Sequence, residues 1–162
     1  MPKITPCLWF NYQAEEAANF YVTLLPNSRV DKVMRSPAAN PSTPAGAVLT
    51  VEFTLAGQKF VGLNGGPQFP FTEAVSFTID CEDQAEVDRL WETLSKDGGS
   101  PGPCGWLKDR FGLSWQIVPK ALNEMMTSAD TEAAGRAMQA MMKMGKLDVA
   151  ALRQAYEGKP AA

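Results

Sequence analysis

The stretch that decides the fold is AVSFTIDCEDQAEVDRLWETLSK, residues 74–96. From Ala74 to Asp80, large apolar side chains alternate with small or polar ones, which is the period-two pattern of a half-buried strand. From Glu82 to Lys96 the apolar positions recur at helical spacing. One helix face would carry Val87, Leu90, Trp91 and Leu94. The pattern predicts a strand followed directly by an amphipathic helix.

The same order occurs near the start of the chain. A short strand ending at Phe10 leads into a helix that carries Tyr21 and Leu24, and strand-like segments follow the helix in both copies. Either copy alone would be small for an independent core, so we expect the two to pair. The sequence therefore predicts an α+β fold of two related modules, residues 1–67 and 68–119, in a single domain spanning residues 1–162.

Two further features concern the helices. Asn11 precedes the first helical pattern and is a residue type that commonly caps helix N-termini. The tail, residues 120–157, is rich in Ala, Met, Glu and Lys, and predicts helices near 120–126, 131–144 and 148–156. Its methionine-rich stripe is typical of a core or an oligomer contact, because Met fills irregular gaps.

Composition excludes several classes of function. The 162 residues include no histidine, so a His general base, a Ser–His or Cys–His nucleophile and an imidazole metal ligand are all excluded. The 15 Lys and Arg residues against 18 Asp and Glu residues give a formal charge of −3. This balance argues against a nucleic acid or an anionic membrane as the partner, since either would call for a basic surface.

The cysteines and the N-terminus predict the compartment. Cys7, Cys81 and Cys104 are odd in number and widely spaced, which indicates free thiols and gives no zinc-knuckle pattern. The N-terminus lacks the apolar core of a signal peptide, and no segment has the length of an apolar membrane span. We therefore expect a cytoplasmic protein.

Strand periodicity also predicts where a ligand would bind. In the strand beginning at Ala74 and in the one from Leu113 to Val118, the large apolar residues share one face, which the helices would cover. The opposite face carries small and polar residues such as Ser76 and Gln116. Such a face leaves volume and a few polar groups for a small molecule. The alternative, equally weighted, is that this face simply meets solvent.

Several motifs are specific in combination. They are Pro6-Cys7-Leu8-Trp9-Phe10, Leu63-Asn64-Gly65-Gly66-Pro67, Cys104-Gly105-Trp106-Leu107-Lys108-Asp109-Arg110-Phe111-Gly112 and Trp115-Gln116-Ile117-Val118-Pro119. With them the chain resembles, over nearly its whole length, the PhnB-like branch of the vicinal oxygen chelate (glyoxalase/bleomycin-resistance) superfamily, often labelled 3-demethylubiquinone 3-methyltransferase-like. The resemblance implies paired βαβββ modules forming a cupped mixed sheet around a cavity, a C-terminal helical tail and a homodimer.

The resemblance also locates the positions where enzymes of this superfamily hold a divalent metal through His and Glu. In this sequence they are Pro6, a position near Phe60, Ala74 and Gln116, none of which is charged or an imidazole. A lone neutral carbonyl oxygen does not hold Zn, Fe or Mn. We therefore expect a cavity that binds a small molecule with no metal and no other cofactor.

Gln116 is the strongest candidate for contacting a ligand, because its amide both donates and accepts hydrogen bonds. The alternative is a hydrogen bond to a neighbouring strand. Ser76 faces the same way and offers a polar contact, since it has no base to activate it.

Three further candidates each have a structural alternative. Trp106 would stack on a flat ligand or cover the core. Cys104 would be a small buried loop residue, or a thiol activated by Lys108 or Arg110. Asn64 would face the ligand or serve only the turn that follows it.

These candidates support three hypotheses. In the first, an apolar or aromatic compound is bound by a set that includes Phe10, Phe60, Trp106 and Gln116. In the second, a lyase or group transferase uses Cys104 or a carboxylate such as Asp109 in the same cavity, although no nucleotide or S-adenosylmethionine motif of the Rossmann type is present. In the third, the Met-rich tail is an interaction surface. The sequence names neither ligand nor reaction.

Overall fold

In a computed structural model, the described residues 2–160 form eight strands and five helices, and the chain divides into two units after Phe71. Unit 1 contains β1 (Cys7–Phe10), α1 (Ala14–Tyr21), β2 (Arg29–Arg35), β3 (Val48–Leu55) and β4 (Gln58–Asn64). Unit 2 contains β5 (Ser76–Cys81), α2 (Gln84–Ser95), β6 (Ser100–Pro101), β7 (Trp106–Lys108), β8 (Ser114–Pro119), α3 (Lys120–Met126), α4 (Thr131–Met141) and α5 (Val149–Tyr156).

The two units share one topology. Their sheets have the orders β1-β4-β3-β2 and β5-β8-β7-β6. In each, the first strand pairs in parallel with the fourth, and the remaining pairs are antiparallel. Each unit therefore contains a βαβββ module, and the predicted α+β class, internal repeat and helical tail are confirmed.

The core of unit 1 lies between its sheet and α1. Small residues on the inner face of α1 let the helix approach the sheet closely, and Ala14, Ala17 and Ala18 are fully buried. The ring of Tyr21 lies 6.2 Å from that of Phe53, measured between ring centroids. This aromatic packing stabilises the unit through apolar burial.

In unit 2, α2 follows β5 as predicted. The carboxylate of Asp83 caps it by accepting from the backbone N–H of Glu86 at 2.9 Å. The strand itself begins at Ser76, not at Ala74, because its partner β8 begins at Ser114, which pairs with Ser76. Val75 lies outside the ladder and is 61% exposed, so its predicted place under the helix is wrong.

The tail helices belong to unit 2, and α3 packs against β8 of the same chain. The tail helices surround a cluster formed by Leu122, Met125, Ala137, Leu147 and Leu152. The second tail helix ends at Met141, short of the predicted Met144. The reason is that the carbonyls of Met144 and Gly145 accept hydrogen bonds from the backbone N–H groups of Cys104 and Gly105, at 2.7 and 2.8 Å.

The predicted methionine stripe is divided between two environments. Met141 and Met144 pack against the tail cluster. Met138 and Met142 are 44% and 52% exposed. Half of the stripe therefore stabilises the tail itself.

Candidate functional site

Three of the predicted ligand-binding residues, Phe10, Phe60 and Asn64, lie on the face of the unit 1 sheet that α1 covers. Phe10 is 2% exposed, and the ring of Phe60 stacks on that of Phe53 with 5.5 Å between centroids. Because strand side chains alternate between faces, Trp9 and its neighbours on β4 face the other way. The three residues thus have structural roles in the core, and a contact between them and a ligand stays a prediction.

Asn64 performs the capping role that the sequence predicted for Asn11. Its Oδ1 accepts a hydrogen bond from the backbone N–H of Ala14 at 2.9 Å, and its Nδ2 donates to the carbonyl of Val48 at 3.0 Å. The residue at the cap position, Gln13, makes no side-chain capping bond. The assignment of Asn11 is therefore wrong, since a residue distant in sequence satisfies the helix start.

In unit 2, three predicted residues lie together on one face of the sheet. Gln116 on β8 pairs in register with Trp106 on β7, and its Nε2 donates to Ser76 Oγ on β5 at 2.9 Å. The opposite face carries the buried Ile79, Leu107 and Ile117, and α2 packs against β7 and β8. The polar face is thus the one that faces away from the core, as its alternation predicts.

A cavity of about 240 Å³ borders this face at β6 and β7. Its lining includes Pro101, Pro103, Trp106, Lys108 and Ser114. Trp106 is the predicted ligand-binding residue that the lining includes. Gln116 pairs with Trp106 in register and hydrogen-bonds Ser76, so the polar pair lies on the sheet next to this lining residue.

An ion pair lies at this cavity. Lys108 Nζ contacts a carboxylate oxygen of Glu73, and the two side chains are 46% and 60% exposed. The hydrogen bond from Lys108 lowers the pKa of the Glu73 carboxyl. The pair brings both signs of charge to the cavity with no net charge.

Ser114 and Glu73 are two of the polar lining residues that the sequence analysis did not select as ligand contacts. Period two places Ser114 on the same face as Gln116, which was the available signal. Glu73 precedes the strand and reaches the cavity through a long-range ion pair, for which the sequence carried no signal.

Cys104 follows the cavity-lining Pro103 but is not itself part of the lining. Its backbone has φ of 58°, in the left-handed region, and its N–H donates to the tail. Cys104 is partly exposed, so the expectation of a buried loop residue does not hold for it.

The carboxylate of Asp109, the alternative catalytic group, is 2% exposed and fully engaged by N–H donors. Its Oδ1 accepts from the backbone N–H groups of Phe111 and Leu113, at 2.9 and 3.1 Å. Its Oδ2 accepts from Trp115 Nε1 at 2.8 Å. These bonds close the loop between β7 and β8.

The residues present do not form a site for a transition metal. Within residues 2–160, no three His, Cys, Asp or Glu side chains come together in a metal-binding arrangement. Gln116 is the one oxygen donor at the positions implied by the resemblance, and its amide Nε2 donates to Ser76 Oγ. A single neutral amide oxygen does not hold such an ion.

Two further cavities lie elsewhere. One of about 190 Å³ in unit 1 is lined by uncharged residues that include Trp9, Tyr12 and Pro41. Another, of about 490 Å³, lies along α4 and α5. At the latter, the guanidinium of Arg136 donates to the carbonyls of Ala155 and Tyr156, so it stabilises the end of α5. Neither cavity includes a predicted ligand-binding residue.

The thiol of Cys81 gives a pH-dependent prediction. Burial, with the nearby carboxylates Glu86 and Asp80, raises its pKa from 9.0 to about 12. Between these values the unfolded chain loses the thiol proton that the folded chain keeps. The stability that Cys81 contributes is therefore fully present below pH 9 and is lost as the pH rises toward 12. From about pH 8 to about pH 10.5, we expect the free energy of unfolding of the wild type to fall more than that of Cys81→Ala, by roughly 2 kcal/mol.

Urea unfolding of both proteins at the two pH values measures this difference, and the variant corrects for every other group that titrates in the range. If the free energy of unfolding fell equally in the two proteins, the raised pKa of the Cys81 thiol would be contradicted.

In the described part of the chain, no helix combines the length and apolar character needed to cross a bilayer.

Comparison with known proteins gives consistent matches. A family model described as 3-demethylubiquinone-9 3-methyltransferase matches residues 2–118. A PhnB protein from Bacillus cereus, provisionally described as a 3-demethylubiquinone-9 3-methyltransferase, is 33% identical; the match covers 73% of this chain and 99% of that one, with a TM-score of 0.64. No curated protein matches the chain.

Two more distant structures show the fold alone. Protein PA1353 from Pseudomonas aeruginosa is 21% identical over 74% of this chain and 98% of its own, with a TM-score of 0.60. The fosfomycin resistance protein FosX from Listeria monocytogenes is 13% identical over 76% and 97%, with a TM-score of 0.50. The family match ends at residue 118, so the tail helices lie beyond it, although the resemblance was expected to cover nearly the whole chain.

Proposed function

This chain belongs to the family described as 3-demethylubiquinone-9 3-methyltransferase, within the vicinal oxygen chelate superfamily, and we propose that it binds a small aromatic molecule without a metal ion. The cavity at β6 and β7 in unit 2 is the proposed site. The observation that carries the proposal is the position of Trp106, which lines this cavity and pairs in register with Gln116.

The volume and the lining support a ligand with one ring. A cavity of about 240 Å³ lies below the roughly 300–1,000 Å³ of sites for drug-sized ligands. The indole of Trp106 offers a flat apolar surface, and Pro101 and Pro103 add rigid apolar walls. Gln116 and Ser76 lie beside the site as polar groups, and a contact between the ligand and Cys104 is a further proposal. Phe10, Phe60 and Asn64 are buried in unit 1 and are not part of the proposed site.

The donor chemistry of the site supports binding without a metal. Enzymes of the superfamily hold a metal ion through His and Glu. The corresponding positions in this chain are Pro6, a position near Phe60, Ala74 and Gln116. Neutral side chains at all of them leave at most a single amide oxygen. A thermal-shift series in which only divalent metals raised the melting temperature would contradict the proposal.

Phenol binding tests the role of Trp106. We expect Trp106→Ala to weaken the binding of phenol about five-fold or more, because the ring loses its stacking surface. Titration followed by ¹⁵N–¹H correlation spectra measures the dissociation constant. Phe69→Ala is the matched control, since Phe69 is an aromatic residue of unit 1 that is 63% exposed. Equal binding by wild type and Trp106→Ala would overturn the proposed site.

The second candidate function is catalysis in the same cavity, by a lyase or a group transferase, and the description of the family favours methyl transfer. Methyl transfer requires a methyl donor. Calorimetric titration with S-adenosylmethionine tests it: measurable binding supports the enzyme, and its absence argues against methyl transfer from this donor. For chemistry at Cys104, the test is whether Cys104→Ser abolishes an activity while the fold stays intact.

We also propose that the chain forms a homodimer. The edge strand β2 exposes the apolar side chains of Val33 and Met34, each at 38%, and an exposed edge offers unpaired backbone groups to a second copy. Light scattering coupled to size exclusion measures the mass, and a monomer of 17.6 kDa at all concentrations would contradict this. The cytoplasmic location expected from the sequence stays a prediction.

A further inference from the structure

The hydroxyl of Ser114 is a buried polar group with no partner. Ser114 is 1% exposed, and its Oγ has no hydrogen-bond partner among residues 2–160. On β8 it pairs with Ser76 of β5 on one side and with Lys108 of β7 on the other. It lines the cavity described above, next to the ion pair of Lys108 and Glu73.

A buried hydroxyl without a partner destabilises the folded state, because it gives up its bonds to water and gains none. An alanine would fill the same strand position without that penalty. Buried polar groups in folded proteins are nearly always satisfied, so an orphan that lines a cavity points to a partner supplied from outside the chain. Ser114 therefore has the features of a residue that hydrogen-bonds a ligand.

The charges around Ser114 restrict the ligand. Lys108 and Glu73 are in contact, so a carboxylate ligand would be attracted by one and repelled by the other, and the same holds in reverse for a cation. Both side chains are half-exposed and carried on long flexible stems, so they can swing aside and open a path to the hydroxyl. A neutral ligand enters without separating a charge from its partner.

Resting on the proposed function, we propose that Ser114 Oγ hydrogen-bonds the ligand, which is therefore a neutral single-ring aromatic compound bearing a hydroxyl or carbonyl group. The ring lies against Trp106, and the substituent meets Ser114. A serine hydroxyl donates as well as accepts, so it pairs with either kind of substituent.

Phenol and toluene test this assignment as a matched pair, because they differ only in a hydroxyl and a methyl group. Their dissociation constants are measured for the wild type and for Ser114→Ala by the same spectra. We expect the preference for phenol over toluene, expressed as the ratio of the two constants, to fall about five-fold in Ser114→Ala. Benzoate is expected to bind the wild type more weakly than phenol, because its carboxylate pairs with Lys108 only by displacing Glu73.

The outcomes separate the two proposals. If neither phenol nor toluene binds, the proposed function fails and this inference fails with it. If both bind and depend on Trp106, but Ser114→Ala leaves their ratio unchanged, the function stands and the role of Ser114 is overturned. The melting temperature of Ser114→Ala is an independent measurement: a rise supports an orphan hydroxyl kept for binding, and a fall shows a structural partner and contradicts it.

Discussion

Replacement of Asp109 by alanine is expected to lower the free energy of unfolding by about 4 kcal/mol. The carboxylate is 2% exposed and accepts from the N–H groups of Phe111, Leu113 and Trp115. Removing it leaves three donors without their acceptor: two in the loop that precedes β8 and the indole N–H of Trp115 on β8 itself. Each buried donor left unsatisfied costs about 1–3 kcal/mol.

Asp109→Asn gives a finer test. The asparagine oxygen can still accept from the backbone N–H groups of Phe111 and Leu113, but its amide NH₂ then faces the indole N–H of Trp115, so that two donors oppose each other. We expect a loss of about 2 kcal/mol, half that of the alanine variant.

Urea unfolding followed by tryptophan fluorescence measures both variants. The control is Asp148→Ala, which removes an exposed carboxylate that makes one capping bond, to the N–H of Ala151 at 3.1 Å, and should cost only about 1 kcal/mol. A stable Asp109→Ala protein would contradict the structural role. It would also restore Asp109 as a candidate catalytic carboxylate, since a group not needed for folding is free to serve chemistry.

Replacement of Leu147 by alanine is expected to lower the free energy of unfolding by about 3 kcal/mol. Leu147 is fully buried in the tail cluster, and its side chain packs so closely over Gly105 that a Cβ at that glycine would lie 2.9 Å from Leu147 Cδ1. The side-chain amide of Gln84 fixes the same segment by donating to the carbonyl of Leu147 at 3.0 Å and accepting from the N–H of Val149 at 2.7 Å. A truncated side chain leaves a cavity that this fixed backbone cannot close.

Met142→Ala is the matched control, because Met142 belongs to the same tail and is 52% exposed. It should change stability by less than about 0.5 kcal/mol. Denaturant unfolding and proteolysis of the tail distinguish the two variants. If Leu147→Ala proved as stable as Met142→Ala, the tail would not be docked on unit 2, and its role as an exposed interaction surface would regain support.

The strands near Ser76 and Ser114 show how far the sequence alone could predict the site. Their large and small side chains alternate strictly, and the polar face of the unit 2 sheet lies opposite the buried apolar face, as the alternation predicts. In β4, by contrast, apolar residues occupy both faces: Phe60 on one, Val61 and Leu63 on the other. Alternation does not orient such a strand. The family resemblance predicts Phe60 as a cavity residue, and the structure has it under α1.

By itself the sequence determined the fold class, the internal repeat, the tail helices and the family. These depend on local periodicity and on combinations of motifs, which are read from neighbouring residues. Only the tertiary structure decided that Asn64 caps α1 and that Asp109 closes a loop. It also decided that Ser114 lies buried beside Lys108 and Glu73 with no hydrogen-bond partner for its hydroxyl among residues 2–160. Satisfaction of a buried polar group depends on atoms brought together from distant parts of the chain, and no local pattern specifies them.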